Sequence, residues 1–185
     1  MPTTALLVMD YQNSIVDRMG SPELLATATR AVDAARANGV RVLFVRVAFR
    51  PGFPEVAPAN KAFGGIAARA GTGFDEAATA IHDAFGMRED DLLVTKRRVS
   101  AFTGSDLEVL LRGLGARHLV LAGIATSGVV LSTLRQAADL DFELTVLEDA
   151  CADADPEVHR VLVEKVFPRQ AEVTTTDAWV SSLAS

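Results

Sequence analysis

Three short stretches of this 185-residue chain carry side chains that could do chemistry. The first, "ALLVMDYQ" (5–12), ends an apolar run on Asp10, with Gln12 two residues on. The second, "LLVTK" (92–96), ends an apolar run on Lys96 and continues into Arg97 and Arg98. The third, "LVLAGIATSGVV" (119–130), passes from an apolar run through a small polar turn into another apolar run. A carboxylate at a partly buried strand tip is pulled two ways: desolvation raises its pKa and a nearby cation lowers it. That tension suits general acid/base work near neutral pH. Lys96 is the candidate cation. A solvated or helix-capping carboxylate is the competing reading of Asp10, and an ordinary strand-end lysine that of Lys96. The "GIATSG" turn (123–128) reads as an oxyanion cradle, because free N–H groups at a helix start point at a ligand and the helix dipole favours negative charge there. It lacks a nucleophile. It offers Thr126 and Ser127, then Val129 and Val130, and Ser127 suits a helix cap better than an attacking group.

Other chemistries find little support. There is no GxGxxG and no phosphate-binding Lys-Ser/Thr loop, so a dinucleotide site is not expected. Cys151 sits in "DACAD", whose carboxylates would raise a thiol pKa, so it reads as structural. His82, His118 and His159 fall in no ligand-like spacing, and no CxxC, HxxxH or HExxH occurs, so neither metal nor cofactor is expected. Net charge is −6 and pI about 5.0, which argues against a general nucleic-acid binder. A locally basic pocket for a small anion stays possible. Only three of the 18 basic residues are lysines: Lys61, Lys96 and Lys165. No run reaches membrane-spanning length, and the N-terminus lacks the basic segment of a signal peptide, so no membrane partner is expected. With one cysteine no intramolecular disulfide can form, and a cytoplasmic setting is the expectation.

The elements that must position these groups alternate along the chain. Apolar residues make up 49% and charged residues 23%, as in a folded globular domain, and the length fits one domain over 1–185. Strands are expected at 5–10, 40–47, 90–96, 117–123, 142–149 and 171–175. They read as continuous apolar runs, the mark of buried parallel strands. Helices are expected at 21–39, with Ser21 as N-cap and Pro22 at its first position, and at 74–85, 105–115, 127–141, 155–168 and 177–184. Ser105 and Glu108 have the spacing of a capping box. Segment 48–65 holds three prolines and three glycines and reads as a long loop, which in a compact domain tends to be functional. The pattern predicts a single-domain, doubly wound α/β fold with a mostly parallel six-stranded sheet. Ligands of such sheets bind beyond the carboxyl ends of the strands, where Asp10, Lys96 and the turn all lie.

Taken together, "ALLVMDYQNSIVD", Lys96 followed by Ser-Ala-Phe (100–102) and the G-x-x-T-S-G turn resemble the isochorismatase-like hydrolase superfamily, over about residues 5–175. The resemblance implies a three-layer α/β/α sandwich, Rossmann-like, and a homodimer or homotetramer. It implies Asp10 as catalytic acid/base and Lys96 as its catalytic partner. It also implies a non-proline cis peptide at Ile124–Ala125 and an oxyanion turn over Ala125, Gly128 and Val129, with Val129 in the slot of the family's cysteine. Segment 48–65 has no Asp or His, so the metal set of the family's amidase branch is missing.

The absent thiol narrows the reaction. Valine cannot attack an amide, and loss of an attacking group removes several orders of magnitude in rate. Isochorismatase-type vinyl-ether hydrolysis does not need the thiol. Asp10 would protonate the alkene carbon and water would capture the oxocarbenium ion, releasing pyruvate. The expected partner is a small-molecule substrate, a carboxylate being one class, contacted by Gln12, Arg46, Arg50 and Thr126. Two alternatives stay open: an amide or N-carbamoyl hydrolase with a non-cysteine nucleophile, and a catalytically inactive relative that binds a metabolite.

Overall fold

A computed structural model describes residues 3–69 and 75–183. Six strands form one sheet: β1 (Thr3–Met9), β2 (Arg41–Val47), β3 (Leu92–Lys96), β4 (Ala116–Ile124), β5 (Glu143–Ala152) and β6 (Glu172–Thr174). Their spatial order is β3-β2-β1-β4-β5-β6 and every pairing is parallel. The order reverses between β1 and β4, so the switch point of the sheet lies between the tips of those two strands. Gly123 is what allows them to meet so closely: a Cβ there would lie 3.0 Å from the Met9 carbonyl oxygen and 3.1 Å from the Met9 Cβ.

Among the described residues eight α-helices surround the sheet: α1 (Asn13–Met19), α2 (Pro22–Ala37), α3 (Gly64–Arg69), α4 (Glu76–Thr79), α5 (Leu107–Gly113), α6 (Leu131–Asp139), α7 (Pro156–Val161) and α8 (Thr176–Leu183). Two separate apolar cores show that both sheet faces are covered. One gathers Leu7, Leu43, Leu121 and Val146 with Leu107, Leu111, Leu134 and Phe167. The other gathers Leu6, Val8, Phe44 and Val120 with Ala28, Val32 and Trp179. Alternate residues of the buried strands thus feed opposite cores, which is why the runs carry no polar alternation. No helix among the described residues is long and apolar enough to cross a membrane.

The structure corrects several expected elements. α1 was not anticipated; it buries Ile15 and Val16 directly after the first strand tip. The single helix expected at 74–85 is broken: α4 ends at Thr79, Ala80 is extended, and a short 3-10 turn covers Asp83–Phe85. Contacts from the first strand tip pull this backbone out of helical form. The Gln12 side chain takes the Thr79 carbonyl at 3.0 Å, Asn13 N–H donates to the Ala80 carbonyl, and His82 N–H donates to the Tyr11 carbonyl. Phe74 and Ala184, the first and last residues of two expected helices, lie outside the described residues. The capping box does not form. Ser105 Oγ accepts from Leu107 N–H, whereas Glu108 pairs with Arg112 at 2.6 Å. Ser21 caps α2 as expected, accepting from Leu24 N–H at 3.1 Å.

Candidate active site

Asp10 follows β1 directly and sits at φ 60°, in the left-handed region that Asp tolerates better than most side chains. Its N–H donates to the Val45 carbonyl at 2.8 Å, which fixes it to the end of β2. Lys96 is the last residue of β3, whose register places it beside Val47. Two neighbouring crossovers thus bring together residues 86 positions apart. Lys96 Nζ lies 2.9 Å from Asp10 Oδ2 and donates to the Arg98 carbonyl at 3.1 Å. The pair is buried: Asp10 is 6% exposed and Lys96 2%.

The electrostatics follow from that burial. Loss of solvent raises the Asp10 pKa from its ordinary 3.8 to about 6, outweighing the attraction and hydrogen bond of Lys96. The other carboxyl oxygen, Oδ1, is buried without a hydrogen-bond partner. A buried carboxylate that leaves an oxygen unmatched is costly unless a proton, water or ligand meets it. Its proton is therefore exchangeable in the neutral range, with an atom free to exchange it.

The turn beyond β4 is finished in another way. The Ile124–Ala125 peptide is cis. Thr126–Val130 forms a widened first turn that leads into α6. Ala125 is its N-cap residue and no side chain caps it, so Ser127 does not play the capping part expected of it. Three of the turn's N–H groups have partners within the protein. Ser127 N–H donates to Asp153 Oδ2 at 2.7 Å, and Gly128 and Val130 N–H both donate to the Ala125 carbonyl, at 3.1 and 3.3 Å. Partial burial pushes the Asp153 carboxyl up, but hydrogen bonds from Ser127 and from the backbone of Asp155 and Ala154 hold it below its usual value. Thr126 Oγ1 bonds to His159 Nδ1 at 2.8 Å, so it too faces a protein partner. Val129 is 2% exposed and belongs to the core that contains Leu134 and Cys151. Cys151 is buried, and burial pushes its thiol up to about 12, so it is inert as a nucleophile.

The remaining expected contacts divide. Gln12 anchors backbone: its amide nitrogen donates to the Val47 and Thr79 carbonyls at 3.0 Å each, and its oxygen accepts from Val47 N–H at 2.8 Å. It still lines a cavity of about 510 Å³ at the ends of β1 and β2, walled by Ile15, Val47, Phe49 and Phe63 with Arg18. Arg46 reaches across from β2 to Thr95 Oγ1 on β3 at 3.2 Å. Arg50 projects from the long loop and pairs with Glu55 at 2.6 Å. Glu55, Asp153 and His159 are contributors that the sequence did not single out. Asp153 alone carried a signal, as the second acid of "DACAD". Among the described residues no group of three His, Cys, Asp or Glu side chains is placed to hold a metal.

The isochorismatase domain model matches residues 4–178. An uncharacterised isochorismatase family protein of Escherichia coli O157:H7, YecD, is 32% identical over 98% of this chain and 96% of its own. The ureidoacrylate amidohydrolase RutB of Stutzerimonas stutzeri is 33% identical over 97% of this chain and 79% of its own. Among solved structures, an isochorismatase family protein of Burkholderia thailandensis superposes with a TM-score of 0.90 at 29% identity, covering 100% of this chain and 97% of the other.

Proposed function

The chain belongs to the isochorismatase family of hydrolases, and from that premise we propose that it hydrolyses the vinyl ether of a small isochorismate-type acid, with Asp10 as proton donor and no covalent enzyme intermediate. The observation that carries this reading is the buried Asp10, with pKa about 6 and Oδ1 unpartnered beside Lys96. In its protonated form Asp10 transfers a proton to the terminal alkene carbon. The ether oxygen stabilises the cation at the adjacent carbon as an oxocarbenium ion. Water adds there, its proton returns to the Asp10 carboxylate, and the resulting hemiketal collapses to pyruvate and the ring alcohol. Lys96 holds the carboxyl in place and keeps its pKa from rising further. The cavity walled by Ile15, Phe49 and Phe63 suits the carbon ring of such a substrate.

A relative named ureidoacrylate amidohydrolase favours a second reading, hydrolysis of a ureido or N-carbamoyl acid. Val129 in the nucleophile slot speaks against it, because a hydrocarbon supplies no attacking pair. Incubation with isochorismate, followed by pyruvate, and with a panel of N-carbamoyl acids, followed by ammonia, separates the two. Pyruvate without ammonia is the expected result. Ammonia without pyruvate would sink the vinyl-ether reading.

A further inference from the structure

The long loop that follows β2 is fastened down by two consecutive arginines. Arg97 donates to the Ala48 carbonyl at 2.5 Å, and Arg98 to the Glu55 carbonyl at 2.5 Å. These residues follow Lys96 directly, and Arg98 supplies the carbonyl that Lys96 bonds. Arg50, Arg97 and Arg98 line a cavity of about 490 Å³ together with Glu55, Thr103 and Gly104. Gly104 is needed there: it has φ 73°, and a Cβ on it would lie 2.9 Å from the Arg97 Cβ.

The charges around this cavity do not balance. Three guanidinium groups face one carboxylate, in a chain whose net charge is −6. Glu55 Oε1 accepts from Arg50 at 2.6 Å and pairs with Arg97 at 3.4 Å. Arg98 is half-buried and hydrogen-bonds only neutral carbonyl groups, those of Arg97 and Glu55. It has no carboxylate partner among the described residues. A guanidinium that has lost much of its water and gained no counter-ion is held at a cost, which an incoming anion removes. The Glu55 carboxylate, set between Arg50 and Arg97, shows which anion these side chains accept. Arg50 is the member free to change partner, since its side chain is 66% exposed.

We infer that this cavity is a binding site for the carboxylate of a small organic acid, with Arg98 as its principal cation and Arg50 moving from Glu55 to the ligand. The site adjoins the strand that presents Lys96, so it would hold the acid end of the substrate; that role in turnover rests on the vinyl-ether reading, whereas the binding does not. Arg46, expected to share this task, donates to Thr95 Oγ1 and does not line this cavity.

Binding of pyruvate and of its uncharged analogue pyruvamide to the wild-type protein, read by calorimetry in low-salt buffer, tests the site without turnover. Pyruvate should bind at least about tenfold more tightly than pyruvamide, because only the anion engages the guanidinium groups. Arg98→Gln keeps donors for the Glu55 carbonyl and removes the charge; it should weaken pyruvate binding roughly 10- to 100-fold. Arg50→Ala alters an exposed side chain, so its folding is secure should Arg98→Gln lower stability. It should weaken pyruvate binding by about three- to tenfold. Equal affinity for the two probes, absence of saturable pyruvate binding, or unchanged affinity in Arg50→Ala overturns the assignment. Loss of pyruvate release from isochorismate with binding intact would count against the reaction alone.

Discussion

At the tip of β1 a buried carboxylate keeps one oxygen without a partner, whereas at the tip of β4 the turn's Ser127, Gly128 and Val130 N–H groups and the Thr126 hydroxyl each have a partner in the protein. Both places belong to one switch point; Asp10 and Lys96 are buried, whereas the turn buries Thr126, Val129 and Val130 and exposes Ser127. They differ in what remains to be done there. Asp10 and Lys96 are held in a state that a proton or a substrate would complete. At the turn, Asp153 already accepts the Ser127 N–H, and Val129 fills the core where a reactive atom would stand. Chemistry is expected at the unfinished half, and the finished half serves as a wall.

The largest break in that contrast comes from Asp10→Asn. A general acid contributes about 10²- to 10⁴-fold, so kcat/KM for pyruvate release should fall by that range. The same change strands the Lys96 ammonium in the interior, which should cost about 3–5 kcal/mol of stability in urea unfolding. Adding Lys96→Met to Asp10→Asn should restore most of the stability and none of the activity. If the double variant is no more stable than Asp10→Asn, the pair is not the buried ion pair described.

Asp153→Ala should act on the other half and do far less. It removes the acceptor at the start of the widened turn, a cap-like contact worth about 1 kcal/mol. Pyruvate release should stay within about threefold of wild type. A loss as large as that of Asp10→Asn would mean that the turn takes part in the reaction. Val129→Cys should also change stability little, since the two side chains are close in size and the site is apolar; under about 1.5 kcal/mol is expected. Ammonia released from N-carbamoyl acids by this variant and not by wild type would show that the valine alone separates the branches.

Much of the scaffold was legible in the sequence, for a simple reason. Buried parallel strands are continuous apolar runs, and each ends where a polar residue meets the sheet edge, so Asp10 and Lys96 could be read as tips from "VMD" and "VTK". The Ser21-Pro22 start of α2 was readable because cap chemistry is local. What escaped depended on partners far along the chain. "FDEAATAIHDAF" has helical composition, but bonds from Tyr11, Gln12 and Asn13 break it after Thr79. Gln12 reads from the sequence only as a substrate contact; in the fold it also braces that break. Nothing local to the Lys96-Arg97-Arg98 run joined it to the loop, and only the folded loop shows the carbonyl groups that Arg97 and Arg98 hold. Asp153 lies 26 positions from Ser127, so no local spacing could have joined them.

The central claim is that the protonated form of Asp10 is the reactive one, and the pH dependence of kcat/KM for pyruvate release from isochorismate tests it most directly. The acid is protonated below its pKa of about 6 and loses the proton above it. The rate constant should therefore be level on the acid side and fall about tenfold per pH unit above about 6. A rate that rises through pH 6, or stays flat to pH 8, would contradict the account.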